Sequence, residues 1–444
     1  MDVPETGYAR AEDGAYLAYQ WVGEGPPDLV WQPDWPGNID VEWEFPAHRA
    51  LLTALASISR LILHDHRAIG LSSRNVPVPN LETRVADLLA VLDAVGTERP
   101  ILVGVGSSGA CNALLAATHP GRASGVAWLD PLPRTSWAPD YPWGRTTEAQ
   151  ERELDDLRYW GTSSYGQAFV DEQASFGNPV PAADAAVFAK ATRNACTPDV
   201  AIELSRMWAE TDVRAVLPTI QTPTLIACQV QLGERELGKQ VADQIPGATY
   251  VELDGTPWSE QTMEVAAEEI RRFAHVDRPA IELDTILATV LFTDIVGSTE
   301  TQSRLGDHRW VSLIERHHAI VRSALDRWRG VEQDTAGDGF YATFEGPARA
   351  IRCAVDIANA VRELGIEIRA GLHTGECEVI DGKIGGLAAS IGARVAAHAG
   401  PSEVLVSQTV KDLVAGSRLT FVDAGEHELK GVSGRWTLYR VGTA

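Results

Sequence analysis

Residues 291–299 read LFTDIVGST, an apolar strand that runs out into Asp294 and then a Gly-Ser-Thr turn. Further along, residues 335–340 read TAGDGF, which places a second aspartate, Asp338, between two glycines. The pattern around these two segments sets the fold of the second half of the chain. After a strand at 288–293 comes a long helix carrying Trp310, Leu313, Ile314, His317, Val321, Leu325 and Trp328 at i, i+3, i+4 spacing. Strands at 331–335 and 340–344 then flank the GDG turn, the signal of a hairpin. Pro347 opens the next helix, where its missing N–H leaves no bond unmade.

The order of strand, helix, two strands, helix, two strands and helix predicts a ferredoxin-like βαββαβ plan with extra elements over 287–444. Working back from it, residues 276–286 hold Asp277, Pro279 and Asp284 with no period, and read as a linker. Residues 1–275 alternate short apolar strands, such as Asp28–Gln32 and Ile101–Val105, with helical stretches such as Leu81–Val95. That alternation predicts an α/β, doubly wound parallel sheet covered on both faces. Residues of about 133–214, rich in Trp, Ala and polar side chains, break the rhythm and read as a helical cap over the sheet's C-terminal edge.

Composition removes several functional classes. The 444 residues carry a formal net charge of −23, which argues against a nucleic-acid partner and against an anionic membrane, because phosphate surfaces need a basic face. It leaves a nucleotide substrate open, since a metal and a few local cations suffice there. Most of the surplus carboxylates read as a solvated surface. The five cysteines are scattered, with no C-x-x-C pair, which suits a reducing cytosol better than a disulfide framework or a zinc site. No apolar run approaches the ~18 residues of a membrane helix, and no signal core follows Asp2 and Glu5. A cytoplasmic address is the expectation.

The motifs FTDIVGST, AGDGF, GLHTGE, G-x-x-x-S-x-x-x-R and ELKGV occur in that order across 285–441. Together they resemble the class III adenylate/guanylate cyclases. The arrangement is most similar to actinobacterial multidomain proteins that place such a cyclase behind an α/β-hydrolase-like domain. The resemblance implies conversion of a nucleoside triphosphate to a 3′,5′-cyclic mononucleotide and pyrophosphate, at sites formed between the subunits of a homodimer.

Two Mg²⁺ or Mn²⁺ ions per active site are expected, because hard divalent cations favour carboxylate oxygens and can stabilise an in-line displacement. Asp294 and Asp338 are the expected ligand pair, with the Ile295 carbonyl as a third; alone, each aspartate would read as a turn former. The backbone N–H groups of Gly297, Ser298 and Thr299, in the strand-to-helix turn, are placed to hold the triphosphate.

Arg394 matches the arginine that stabilises charge on the α-phosphate, or else pairs with an interface carboxylate. Ser390 stands where an asparagine usually orients the ribose, and four residues' spacing puts it on one helix side with Arg394. Lys430 matches a lysine that reaches the terminal phosphates, or is a solvated strand residue. At the base-reading positions the family's adenylate cyclases carry a lysine and an aspartate; here Asp334 and Lys383 exchange the charges. As a donor/acceptor set the pair suits a keto base, GTP or UTP, with ATP as the family default. A simple Asp334–Lys383 salt bridge is the competing reading.

The N-terminal segments DLVWQPDWPG, LILHDHRAIGLSS and ILVGVGSSGACNALLAATHP resemble the α/β-hydrolase fold. Where that family has its nucleophile elbow, the ungapped position holds Gly106, with Ser107 next to it. Trp258 falls where the histidine belongs, and the shortened acid loop offers only Glu234 or Glu236. Without a base, Ser107 is a weak nucleophile, so a degenerate hydrolase is expected. The domain then reads as a sensing pocket for a small apolar ligand, lined by Trp137, Trp143, Trp160 and Trp208, or as a structural or dimerising module. A rival reading of the whole chain is a pair of pseudoenzymes that only bind nucleotide.

Overall fold

The computed structural model describes residues 4–33, 37–175, 178–229, 235–275, 285–380 and 383–442. The chain divides into two compact units, Met1–Ile281 and Glu282–Ala444. The expected linker at 276–286 lies outside the described residues except for Thr285 and Ile286, which already belong to a strand. Glu234 also lies outside them.

The N-terminal unit holds one sheet of β1 (Gly7–Arg10), β2 (Tyr16–Val22), β3 (Asp28–Gln32), β4 (Arg60–His64), β5 (Ile101–Val105), β6 (Gly125–Leu129), β7 (Thr224–Gln229) and β8 (Thr249–Leu253). Its order is β1-β2-β4-β3-β5-β6-β7-β8. Strands β3 to β8 are parallel, and β6 and β7 are buried along their whole length, as strands covered on both faces must be.

The expectation of a wholly parallel sheet needs one correction. Strands β1 and β2 run antiparallel at the edge, because the chain between them is too short for a parallel crossover. The helices are α1 (Pro46–Ala56), α2 (Leu81–Val95), α3 (Gly109–Thr118), α4 (Thr147–Asp156), α5 (Ser163–Ser175), α6 (Asp184–Ala195), α7 (Pro198–Glu210), α8 (Arg235–Gln244) and α9 (Glu260–Ala274). Helices α4 to α7 fall between β6 and β7, where the cap was expected. On one face of the sheet, Leu29, Leu61, Leu63 and Val103 pack with Leu51, Leu55, Ala266 and Ile270 of α1 and α9.

The C-terminal unit contains β9 (Thr285–Ile295), α10 (Ser298–Leu305), α11 (Asp307–Trp328), β10 (Val331–Ala336), β11 (Gly339–Phe344), α12 (Pro347–Ala360), β12 (Ile368–Ile380), β13 (Lys383–Gly385), α13 (Leu387–His398), β14 (Val404–Ser407), α14 (Gln408–Leu413), β15 (Phe421–Glu428) and β16 (Arg435–Val441). The sheet order is β10-β11-β9-β12-β14-β16-β15, with β13 paired to β12. Its first four strands, with α11 and α12, are the ferredoxin-like βαββαβ plan. Helices α11 and α12 bury Val321, Leu325, Ile351 and Ile357 on one face, against Leu291, Ile295 and Leu372.

Helix α13 covers the other face, and two glycines let it come close. A Cβ on Gly371 would lie 2.0 Å from the Ala396 nitrogen, and one on Gly392 2.5 Å from a Val290 methyl. The histidine of GLHTGE, His373, is a core residue: it is 5% exposed, and its Nδ1 lies 2.9 Å from Ser407 Oγ on the neighbouring strand.

Candidate nucleotide site and the vacated hydrolase elbow

Asp294 stands next to the end of β9, and the ladder pairs Thr293 with Phe340, so the GDG turn lies beside that end. The Ile295 N–H donates to Asp338 Oδ2 at 3.2 Å. Burial, and behind it the neighbouring Asp294 carboxylate, push the Asp338 carboxyl above its usual range. The two expected ligands are therefore side by side, with like charges in tension that a bound cation would relieve.

Among the described residues no group of three or more His, Cys, Asp or Glu is arranged to hold a metal. Two neighbouring carboxylates, with a backbone oxygen as a third donor, would suit a hard divalent cation. Gly297 and Gly337, both at φ +65°, form the two turns, and α10 starts at Ser298.

Two further residues belong to this cluster. Arg369, paired with Asp294 across the β9–β12 ladder, donates to Asp294 Oδ2 from Nε at 3.2 Å and Nη2 at 2.7 Å. His318 of α11 reaches the Gly337 carbonyl through Nε2 at 3.0 Å, so that nitrogen carries the proton. Local periodicity does not single out either one, because both contacts depend on which elements become neighbours.

A second group gathers on and beside α13. Ser390 and Arg394 are both exposed on this helix, one turn apart. The Ser390 hydroxyl donates to the Gly386 carbonyl at 3.4 Å, and Arg394 Nε donates to the Lys430 carbonyl at 3.1 Å. Lys430 is not a strand residue, as one sequence reading had it. It lies in the connection between β15 and β16, where Gly431 and Gly434 at φ +81° and +88° turn the chain. Asp334 faces Tyr341 across the hairpin, and Lys383 opens β13; both are exposed. Among the described residues no ion pair joins them, so the expected alternative of a salt bridge is not formed.

In the N-terminal unit, β5 turns into α3 at Gly106, whose φ of +53°, open to glycine, forms the apex of an elbow. Its carbonyl accepts from Trp128 Nε1 at 2.7 Å and from the Leu132 N–H at 3.3 Å, which pins the turn. Ser107 is buried beside it at 5% exposure. Trp258 lies between β8 and α9, stacked on His48 with ring centroids 6.0 Å apart and edge-on to Phe169 at 5.5 Å. Glu236 sits in the first turn of α8.

The four tryptophans expected to line a pocket have separate settings. Trp137 is 48% exposed, Trp143 packs on Tyr141, Trp160 donates to the Cys196 carbonyl, and Trp208 lies under the Arg84 guanidinium. No helix among the described residues is long and apolar enough to cross a membrane.

Comparison with known proteins follows the same division. Residues 283–442 match the family of adenylate and guanylate cyclase catalytic domains. A Rhizobium meliloti (strain 1021) protein named "Putative adenylate cyclase 3" is 28% identical over 155 residues, 33% of this chain and 26% of that protein. An uncharacterised protein of the same organism is 28% identical over 176 residues, covering 35% of this chain and 17% of its own length. The chain therefore spans only a sixth to a quarter of these two relatives.

The "Putative carbamate hydrolase RutD" of Caulobacter sp. (strain K31) is 28% identical over 227 residues, 49% of this chain and 80% of that protein. The bromoperoxidase from Bacillus anthracis superposes with a TM-score of 0.51 at 20% identity, over 62% of this chain and 100% of that one, which shows a shared fold. The chain thus joins an α/β-hydrolase-like domain to a C-terminal segment, residues 283–442, that matches the adenylate and guanylate cyclase catalytic domain family.

Proposed function

We propose that the chain is a nucleotidyl cyclase that makes a 3′,5′-cyclic mononucleotide and pyrophosphate from a nucleoside triphosphate, at sites shared between two copies. The observation that carries this reading is the pairing of Asp294 and Asp338 at one strand end, linked through Ile295 and Ser298. The ribose 3′-oxygen attacks the α-phosphorus as the bond to the bridging oxygen of pyrophosphate breaks. The 3′ proton passes to solvent.

Mg²⁺ or Mn²⁺, held by Asp294, Asp338 and the Ile295 carbonyl, would supply acidity to that hydroxyl and neutralise the leaving charge. The N–H groups at Gly297, Ser298 and Thr299 cradle the phosphates. From the partner copy, the same chain's Arg394 would meet the α-phosphate and Lys430 the terminal ones. Arg394 is oriented for this by its bond to the Lys430 carbonyl. Asp334 accepts from N1–H of guanine or N3–H of uracil while Lys383 donates to the keto oxygen, which favours GTP or UTP over ATP. The N-terminal domain, with Gly106 and Trp258 at two triad positions, serves as a regulatory or ligand-sensing module.

One observation favours a second reading, a pseudo-cyclase that binds nucleotide without turnover. The Ser390 hydroxyl, already shorter than the asparagine it replaces, bonds its own helix at Gly386. One experiment separates the two: incubation with each of ATP, GTP, UTP and CTP and Mn²⁺, with products read by mass spectrometry. The cyclase reading expects a cyclic product that Asp294→Ala abolishes. It fails if none of the four is cyclised, or if the Asp294→Ala protein cyclises as well as the parent.

A further inference from the structure

Both backbone polar groups of Ile384 are captured by side chains of the β10–β11 hairpin. Its N–H donates to Gln333 Oε1 at 3.1 Å, and its carbonyl accepts from the Tyr341 hydroxyl at 2.8 Å. Ile384 is the middle residue of β13 and stands opposite Val379 of β12. Alternate residues of an antiparallel ladder turn their N–H and C=O groups away from the partner strand. Here two side chains take the place that a further strand would fill.

The clamp is anchored on its other side as well. The Gln333 amide also donates to Thr343 Oγ1 at 2.9 Å, and the Tyr341 ring lies flat on Phe292, with centroids 4.5 Å apart and planes 2° from parallel. Burial holds the Tyr341 phenol above its usual range, so it keeps the proton it donates.

The clamped residues are the immediate neighbours of the two exchanged charges. Gln333 precedes Asp334, Tyr341 faces Asp334 across the hairpin, and Ile384 follows Lys383. Two exposed, opposite charges on adjacent elements would close on each other if either backbone could drift. A pair that reads donors and acceptors has to stay apart, because a mismatched base is rejected only when the protein groups cannot relax toward it.

We propose that Tyr341 and Gln333 are positioning residues for base selection, gripping Ile384 so that Lys383 is held at a fixed separation from Asp334. The proposal rests on the reading of the C-terminal domain as a nucleotidyl cyclase with Asp334 and Lys383 as its base readers. Neither clamp residue touches the base; each acts through a backbone group of Ile384.

The test uses the full chain and the variants Tyr341→Phe, Gln333→Leu and the double. Tyr341→Phe keeps the stacked ring and removes only the hydroxyl, so it carries the test should Gln333→Leu fold poorly. Calorimetry with the non-cyclisable α,β-methylene analogues of ATP, GTP, UTP and CTP in Mn²⁺ gives the four dissociation constants. Turnover of the four natural nucleotides is followed in parallel.

The expected result is a narrowing of the best-to-worst affinity ratio by about three- to tenfold in each single variant. The double should do no more than the larger single, because both bonds hold one residue, Ile384, in place. A ratio unchanged in Tyr341→Phe, a uniform weakening of all four analogues, or a parent with no base preference overturns the proposal. Selective binding by a parent that forms no cyclic product sinks the cyclase reading alone. Cyclisation with an unaltered base ratio sinks the clamp alone.

Discussion

Arg369 and Asp294 face each other across the β9–β12 ladder, and the guanidinium Nη2 lies 2.7 Å from Asp294 Oδ2. The arginine supplies positive charge to Asp294, one of the two carboxylates at the strand end. A divalent cation at Asp294 would supply positive charge to the same carboxylate.

Removing the arginine should therefore matter most when no metal is bound. Both side chains are more than a third exposed, so the pair contributes only about 0.2–1 kcal/mol. Arg369→Ala is expected to lower the melting temperature by about 1–3 °C in EDTA and by less in Mn²⁺. Equal losses in the two buffers would mean that the arginine does not stand in for a metal.

Asp338 leads to the opposite pairing of stability and activity. Its carboxyl is held above the usual range by burial and by Asp294, so the ionised form is under strain at neutral pH. Asp338→Asn keeps an oxygen for the Ile295 N–H and removes the like charge. The variant should melt no lower than the parent without metal, while cyclisation falls by about a hundredfold or more. A clear fall in metal-free stability would show that the repulsion is not what shifts Asp338.

The ferredoxin-like order can be read directly from the chain because α11, α12 and β9 to β11 each show their own period and are separated by glycine turns. The tail beyond α13 does not read so plainly. Strand β15 carries a register shift between Asp423 and Gly425, which breaks the period of two, and β14 is only four residues long. Of the site, the motif residues Asp294, Asp338, Ser390 and Arg394 stand out by type and spacing. Arg369, His318 and Tyr341 do not, because their roles come from cross-strand register and helix placement. Of the two readings of Lys430, a lysine reaching the phosphates and a solvated strand residue, the second fails. Strand β15 stops at Glu428, and the chain then turns through Gly431 and Gly434 at positive φ.

Acid should loosen the C-terminal unit through His373. Burial lowers its pKa from 6.5 to about 4, so the fold accommodates only the neutral ring. For a histidine depressed in the folded state, stability is complete above the unfolded value and is lost as pH falls from about 6.5 toward 4. The loss can reach about 3 kcal/mol. His373→Gln should flatten that part of the pH profile in urea unfolding, whereas an unchanged slope would assign it to other groups.

The N-terminal elbow permits a direct check on whether the triad is vacated. Gly106 holds φ +53°, a conformation that strains any residue with a Cβ. Gly106→Ser should cost about 1–2 kcal/mol in stability and yield no esterase activity, because Trp258 supplies no base. Ser107→Ala should leave the full chain's ester turnover at background. Serine-dependent hydrolysis in either comparison would restore the domain to the enzymes.

Two copies are required if Asp294 and Asp338 come from one chain while Arg394 and Lys430 come from the other. Asp294→Ala abolishes the first half-site and Arg394→Ala the second, so each variant alone should be inactive. When equal amounts are mixed and allowed to exchange, half the dimers are mixed. Each mixed dimer regains one intact site, built from the aspartates of one variant and the arginine of the other. The mixture should recover about a quarter of the parent's activity, with one of every four sites whole. If each chain instead held a complete site, every site would lack one residue whatever its partner, and the mixture would stay as inactive as its components. Mixing titrations read by product formation distinguish the two cases without any structural assumption about the seam.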